Sequence, residues 1–337
     1  MTDVLGRVDF FRSEPDRDPR DGLKEWQHFV VHGDGARIIV NFSLSRGEWP
    51  TSRHVGRVIV LVHDESWSGS VTDVAIDDVV VERGRTTSAR FGDNRIAFVD
   101  GAYVVELHLP RHRISARLRF VPVSTPFVKN NQPVGDGRMS WLFVPRLLAD
   151  GHLIVGSTRF GMRRAVAYHD HNWGRFRWGQ DFGWQWGTAL PVSADDPWSI
   201  VFMRMTDRTH SWTRSQCLYV WKDGRPAAMF RDGTLEVTQH GLLRSGPSRT
   251  VPGALALVAP GRASDVPASM TLRARRGDDH LEVVIVPEEF ARIAVPAETG
   301  ASPLVALHEV SAVIRATGSV GSSTIDLEGS GVVEFLR

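Results

Sequence analysis

The sequence predicts an all-β protein of two domains, and three observations carry that reading. Short runs rich in Val, Ile, Leu and Phe recur along the whole chain with partial two-residue alternation, the period of a half-buried strand. Seven Asp-Gly pairs, at Asp21, Asp34, Asp100, Asp136, Asp150, Asp223 and Asp232, punctuate the chain, and six fall between such runs, as hairpin turns should. The length of 337 residues exceeds the roughly 250–300 at which one core stops growing and suits two.

In order, the first half offers "ARIIVNFSLS" (36–45), "GRVIVLVHD" (56–64), "TDVAIDDVVVE" (72–82), "YVVELHL" (103–109) and "ISARLRFVPV" (114–123). The second half repeats the style in "WSIVFMRMT" (198–206), "QCLYVWKDGRPAAMFRDGTLEV" (216–237), "ASMTLRARRGDDHLEVVIV" (268–286), "LHEVSAVIRATGSV" (307–320) and "STIDLEGSGVVEFL" (323–336). Only "DGLKEWQHFV" (21–30) and "PEEFARIAV" (287–295) have room for a helical turn or two. The turn-rich stretch 122–140 reads as a loop. The domain junction is placed within 160–190, giving domains of residues 1–175 and 176–337.

Composition excludes several functions. Lys and Arg (40) nearly balance Asp and Glu (39) with no basic run, so the electrostatic footprint of nucleic-acid binding is missing. The opening "MTDVLGRVDFFRSEPDRDPRDG" is charged throughout, unlike a signal peptide, and no stretch approaches the roughly 18 apolar residues of a membrane span. The single cysteine, Cys217, precludes an internal disulfide and fits a reducing compartment; on its apolar strand it reads as a buried hydrophobe. The expectation is a soluble, cytoplasmic protein.

One stretch concentrates chemistry: "AYHDHNWGRFRWGQDFGWQWG" (167–187). On a strand, His169 and His171 point to one face while Tyr168, Asp170 and Asn172 point to the other. A metal site would use His-X-His as a ligand pair, but a carboxylate should follow soon after. Here Asn172, Trp173, Gly174 and Arg175 follow, with no carboxylate until Asp181, so neither metal nor cofactor is expected. A purely structural core is a second reading, yet burying two His, an Asp and an Asn costs several kcal/mol unless each finds a partner. The third reading is a pocket with polar groups at its base and aromatic walls. Trp173, Trp178, Trp184, Trp186 and Trp198 fall close together, and Trp184 and Trp186 share a strand face. Such a wall suits a large apolar substrate or a carbocation, which an indole face stabilises by roughly 0.5–2 kcal/mol.

At these residues the chain resembles the carotenoid 1,2-hydratase/AttH-like family. Its "AYHDHNWG" departs from the family's "GYHDHNWG" only at Ala167, and "MSWLFVPRLLADGHLIVG" (139–156) and "GSGVVEFLR" (329–337) resemble flanking family strands. The resemblance implies two lipocalin-like, calycin-type β-barrel or sandwich domains. It implies activity on polyenes or related apolar molecules, by hydration or, in Diels–Alderase and terpenoid cyclase relatives, by ring formation. The hydratases' catalytic His and Trp fall on His171 and Trp173. Their acid-bearing Tyr-X-Asp would fall near 202–204, where this chain reads Phe202, Met203 and Arg204; Asp207 lies beyond, in a turn.

Without that acid, hydration is disfavoured, because protonating an alkene needs a strong acid aimed at carbon. Cyclisation asks mainly for a folded reactive conformer, and orientation alone supplies on the order of 7–11 kcal/mol in the best intramolecular cases. The expectation is a cofactor-free cyclase of secondary metabolism acting on a polyene, polyketide or prenylated substrate bound between the domains. A hydratase is the alternative, and a non-catalytic carrier the second; a carrier has no use for clustered His, Asp and Asn. Expected catalytic residues are His171, Asp170, Trp173, His169 and Asn172, with Tyr168, Trp178, Trp184, Trp186, Trp198, Phe202 and Glu309 at the substrate. His28 and His32 read as caps of a strand end.

Overall fold

The computed structural model of the chain describes residues 5–6, 8–12, 22–45, 55–83, 87–244, 247, 249–252, 266–300 and 304–337. By contacts the chain forms two compact units: residues 1–64, 68–178 and 298–300, and residues 65–67, 179–297 and 301–337. Among the described residues strands dominate the regular structure, with short 3-10 turns and a helical turn at residues 5–6 and 8, and one of the two sheets closes nearly into a barrel. No helix among the described residues is long and apolar enough to cross a membrane.

The first unit begins with a meander of β1 (Leu23–Gly33), β2 (Ala36–Ser45), β3 (Val55–His63) and β4 (Trp67–Ala75). A second meander follows: β5 (Val79–Glu82), β6 (Thr87–Phe91), β7 (Asn94–Val99), β8 (Ala102–Leu109) and β9 (Ile114–Pro122). It ends with β10 (Phe127–Val134), β11 (Gly137–Val155) and β12 (Thr158–Arg175). Across the sheet the order is β4-β3-β2-β1-β12-β11-β9-β8-β7-β6-β5, with β10 beside the first half of β11. The unit's last strand therefore lies between its first strand and β11, with both edges of its backbone hydrogen-bonded. Inward residues of both meanders, including Phe29, Phe42, Phe91 and Phe120, fill a common core.

The second unit comprises β13 (Gly183–Pro191), β14 (Trp198–Thr206), β15 (Thr213–Lys222), β16 (Arg225–Arg231) and β17 (Leu235–His240). It continues with β18 (Arg249–Val251), β19 (Ser269–Arg276), β20 (Asp279–Pro296), β21 (Leu304–Val320) and β22 (Ser323–Leu336). Its order is β16-β15-β14-β13-β22-β21-β20-β19-β17, with β18 parallel to β20. Again the last strand pairs with the first. Its core holds Trp198, Phe202, Phe230, Phe290 and Phe335.

Several turns follow the sequence directly. At Asp34-Gly35, Asp100-Gly101 and Asp223-Gly224 both residues have positive φ, between 47° and 77°, as tight hairpins of twisted strands require. Asp150-Gly151 is different, because it lies inside β11 at a bulge rather than in a turn. Gly151 has φ 129°, and a Cβ there would sit 2.1 Å from the Arg117 carbonyl oxygen on β9. Asp21 lies outside the described residues.

Both suggested helical turns are strand. Residues 23–30 form most of β1, paired with β2 and β12, and residues 287–295 part of β20, paired with β21 and at 291–293 also with β18; tertiary pairing overrides weak local preference. The run 72–82 is broken by a 3-10 turn at Ile76–Asp78. The 122–140 stretch contains β10 and the start of β11 rather than a simple loop.

Candidate functional site

Because β12 is central and fully paired, its alternation divides the motif between two faces. His169, His171 and Trp173 point to the core of the first unit, while Tyr168, Asp170 and Asn172 point away from it. One stretch of sequence thus builds two clusters, back to back.

The inner cluster is sealed: Asp9, Glu25, Gln27, His169 and His171 are each 0% exposed. His169 Nε2 lies 2.9 Å from Asp9 Oδ2 and its Nδ1 lies 3.0 Å from the His28 carbonyl oxygen, while Phe29 stacks on the ring at 4.2 Å. Tyr103 donates its hydroxyl to the same Asp9 oxygen. His171 Nε2 lies 2.8 Å from Glu25 Oε1. Its Nδ1 is 3.0 Å from Asp9 Oδ1, an ion-pair contact without the alignment of a hydrogen bond. The Arg12 backbone N–H donates to Glu25 at 2.7 Å, and the Arg12 guanidinium covers the Trp173 ring at 4.1 Å. The network therefore joins the segment around residues 9–12 to three strands.

Burial alone would lower the His171 pKa, but the Asp9 and Glu25 carboxylates raise it to about 9. Burial would likewise raise Asp9, and the two imidazoles instead hold it well below the usual carboxylate range. Tyr103, pushed up by burial and by Asp9, stays a phenol. The linkage follows in sign. His171, raised above its ordinary 6.5, contributes stability fully below that value and loses it as pH climbs through about 9. Urea midpoints measured between pH 6 and 10 are expected to fall along this interval, by less in a His171→Gln variant (values on the scale of ordinary imidazole and lysine titration). An identical slope in both proteins would show that the imidazolium has no such role.

The outer cluster centres on Asp170, 5% exposed. The Tyr168 hydroxyl donates to Oδ2 at 3.0 Å and the Asn172 amide to Oδ1 at 2.7 Å. Directly opposite Asp170 stand His28 on β1 and Phe143 on β11; Trp141, 4.3 Å from Phe143 between ring centres, stands opposite Asn172. His28 therefore occupies the middle of a strand and is no end cap, because β1 extends five residues beyond it to Gly33.

In the second unit Trp184 and Trp186 share a face, both 4% exposed, on the side of β13 away from the core. Trp186 stands directly opposite Glu334 on β22, and Glu334 directly opposite Glu309 on β21. The Trp184 indole N–H donates to Glu334 Oε1 at 2.8 Å. Glu309 is buried and Glu334 half-buried. Burial raises the Glu334 carboxyl to about 7, against the opposing pull of the Trp184 hydrogen bond.

The remaining expected residues scatter. Trp198 and Phe202 belong to the second unit's core. Trp178 lies in the first unit, half-buried, its backbone N–H bonded to Glu298 and its ring edge-on to Phe176. Asp207 organises a turn, accepting bonds from Thr209, Ser211 and the Trp212 N–H. Cys217 is buried. An open groove of about 970 Å³ in the second unit mixes charged residues such as Arg273, Arg275 and Glu282 with apolar ones such as Leu235 and Val237. Among the described residues no group of three or more His, Cys, Asp or Glu is arranged to hold a metal ion.

Sequence reasoning missed Asp9, Glu25, His28, Asn41 and Glu334. For Glu334 a signal existed, a lone carboxylate in the apolar strand "VVEFL". For Asp9 none did, since it joins the cluster only through a contact 160 residues away in sequence.

No family profile and no curated protein matches the chain by sequence. Solved structures do match it by fold. The AttH-like protein NE1406 from Nitrosomonas europaea is 13% identical with a TM-score of 0.63, covering 93% of this chain and 91% of that one. CghA in complex with Sch210972 is 12% identical with a TM-score of 0.62, covering 94% and 88%. Kievitone hydratase from Nectria haematococca is 12% identical with a TM-score of 0.61, covering 98% and 94%.

Proposed function

For a chain with the two-domain lipocalin-like fold of the AttH-like proteins, we propose an acid-initiated cyclase that closes rings in an apolar, unsaturated small molecule. The observation that carries this reading is the row Trp186–Glu334–Glu309 with Trp184 bonded to Glu334. Two carboxyls directly opposed on neighbouring strands do not both ionise readily, so one keeps a proton near neutral pH. A carboxylic acid set among indoles has what protonation of an alkene requires: a donor and a π surface for the resulting cation.

In the proposed step the Glu334 O–H proton passes to an alkene carbon, leaving Glu334 as carboxylate and the substrate as a carbocation. A second double bond of the same molecule attacks the cation and closes the ring. Glu309, ionised, removes a proton from the final cation, restoring an alkene; solvent water then takes the proton from Glu309 and returns one to Glu334, resetting the pair. The product is an isomer of the substrate. The motif histidines are assigned a holding role in the first unit, since both are sealed in its core.

Partial exposure of Glu334 favours a second reading, hydration, in which water captures the same cation. The name of kievitone hydratase agrees with it. Mass spectrometry of products from a panel of linear polyenes, prenylated aromatics and polyketide chains separates the readings. Cyclisation leaves the mass unchanged in ordinary water and adds one deuteron in heavy water; hydration adds one water. Recovery of every bound compound unchanged would identify a carrier.

A further inference from the structure

The inner face of the second unit ends in a polar layer that the ring-closing reading does not use. Gln185 on β13, Arg204 on β14 and Gln216 on β15 stand directly opposite one another. Two residues along β14 and β15 from this layer are the core residues Phe202 and Leu218, so it shares the core's face of the sheet. Trp184 and Trp186, on either side of Gln185, face the other way. Arg204 and Gln216 also help to line the open groove of about 970 Å³. That volume lies in the range of small-molecule pockets, roughly 300–1,000 Å³.

Arg204 is half-buried and permanently charged, yet among the described residues it forms no ion pair. Its Nε donates to the Thr213 hydroxyl at 2.8 Å and its Nη1 to Gln185 Oε1 at 3.1 Å, both neutral partners. Its Nη2 makes no bond to the described residues. Burial weighs against the charge, and Asp207 offsets this only from a distance, its carboxylate being held by Thr209, Ser211 and the Trp212 N–H. The carboxylates that line the groove are engaged as well. Glu282 pairs with Arg273 at 2.7 Å, Glu236 stands opposite the same arginine, and Asp232 accepts the Gln216 backbone N–H.

We propose that this groove binds an amphipathic organic acid, its carboxylate on Arg204 and its hydrocarbon body along the groove's apolar lining. Thr213 and Gln185 hold the guanidinium in place without neutralising it, so little ordering remains when a ligand arrives. Nη2 offers two N–H donors, and a carboxylate brings to them the negative charge that an alcohol or an ester lacks. The lining residues Leu235, Ala274 and Leu281 are also members of the second unit's core, and Val237 packs against it. A hydrocarbon chain seated on them leaves water for a surface continuous with that core.

The test compares octanoate with octanol, a chain of the same length, by calorimetric titration of the full chain. Octanoate is expected to bind at least about tenfold more tightly, and Arg204→Met to erase the difference by weakening octanoate alone. Octanoate no tighter than octanol, a preference that survives Arg204→Met, or no binding of octanoate would overturn the proposal. If Arg204→Met does not fold, a diazirine-bearing octanoate decides in the wild type. Its photo-adducts must fall within 204–216, 232–237 or 273–282, the segments that line the groove; adducts elsewhere, or none, overturn the proposal equally. No turnover is measured and the Glu334 row lies on the opposite face of the sheet, so a negative result leaves the ring-closing reading standing on its product masses. The reverse also holds.

Discussion

Asp9→Ala is expected to lower the free energy of unfolding by about 3–5 kcal/mol, the range found when one member of a buried ion pair is removed. Three groups lose a partner at once. Tyr103 loses its acceptor, His169 Nε2 loses its carboxylate, and the His171 imidazolium keeps only Glu25 as a counter-charge. All of this happens where water cannot reach, since Asp9 is 0% exposed. The comparison is Asp73→Ala, which breaks an ion pair with Arg57 in which the aspartate is 52% exposed; that change should stay within about 0.5 kcal/mol. Urea unfolding of both variants measures the contrast. Equal and small shifts would mean that the inner network contributes nothing to the fold, and the assignment of His169 and His171 to holding would fail.

The second large effect concerns turnover. Glu334→Gln keeps the side chain's shape and still offers Trp184 an acceptor, but it cannot release a proton to carbon. Ring closure is expected to slow by about 10²–10⁴, the usual worth of a positioned acid, while substrate affinity stays within about tenfold. Stability should hold or rise, because the amide keeps the bond from Trp184 and has no charged form that burial penalises. A protonated-carboxyl band in the infrared at neutral pH, lost in the variant, checks the same assignment without any substrate. Turnover that survives the substitution would remove Glu334 from the chemistry.

How far the sequence could lead differs between fold and site. Strand positions were legible because a two-residue period and Asp-Gly pairs are local signals: 36–45 is β2 to the residue, and Asp34, Asp100 and Asp223 sit in the turns they suggest. What failed was also local evidence, overruled at a distance. "DGLKEWQHFV" has room for a helical turn but becomes strand because β2 and β12 flank it, and Asp150-Gly151 is drawn into β11 by the close approach of β9. The face assignment along 168–173 followed from alternation alone. Partners did not, since Asp9, Glu25, Glu298 and Glu334 meet their contacts across 13 to 274 residues of chain. The aromatic count was informative only after each ring was placed: Trp184 and Trp186 share a face with two carboxyls, whereas Trp198 is filling.

Two messages are written into β12, interleaved letter by letter. Residues 169, 171 and 173 spell the inside of the first unit, and 168, 170 and 172 spell the opposite face of its sheet. Insertion or loss of one residue would exchange the messages wholesale, so the segment's length should be far less free to drift than its neighbours'. Substitutions, by contrast, can change one reading while sparing the other. A lineage could rewrite the outward letters to take up a new molecule while the inward ones go on holding the strand in place. That separation gives one short strand both its rigidity and its room to diversify.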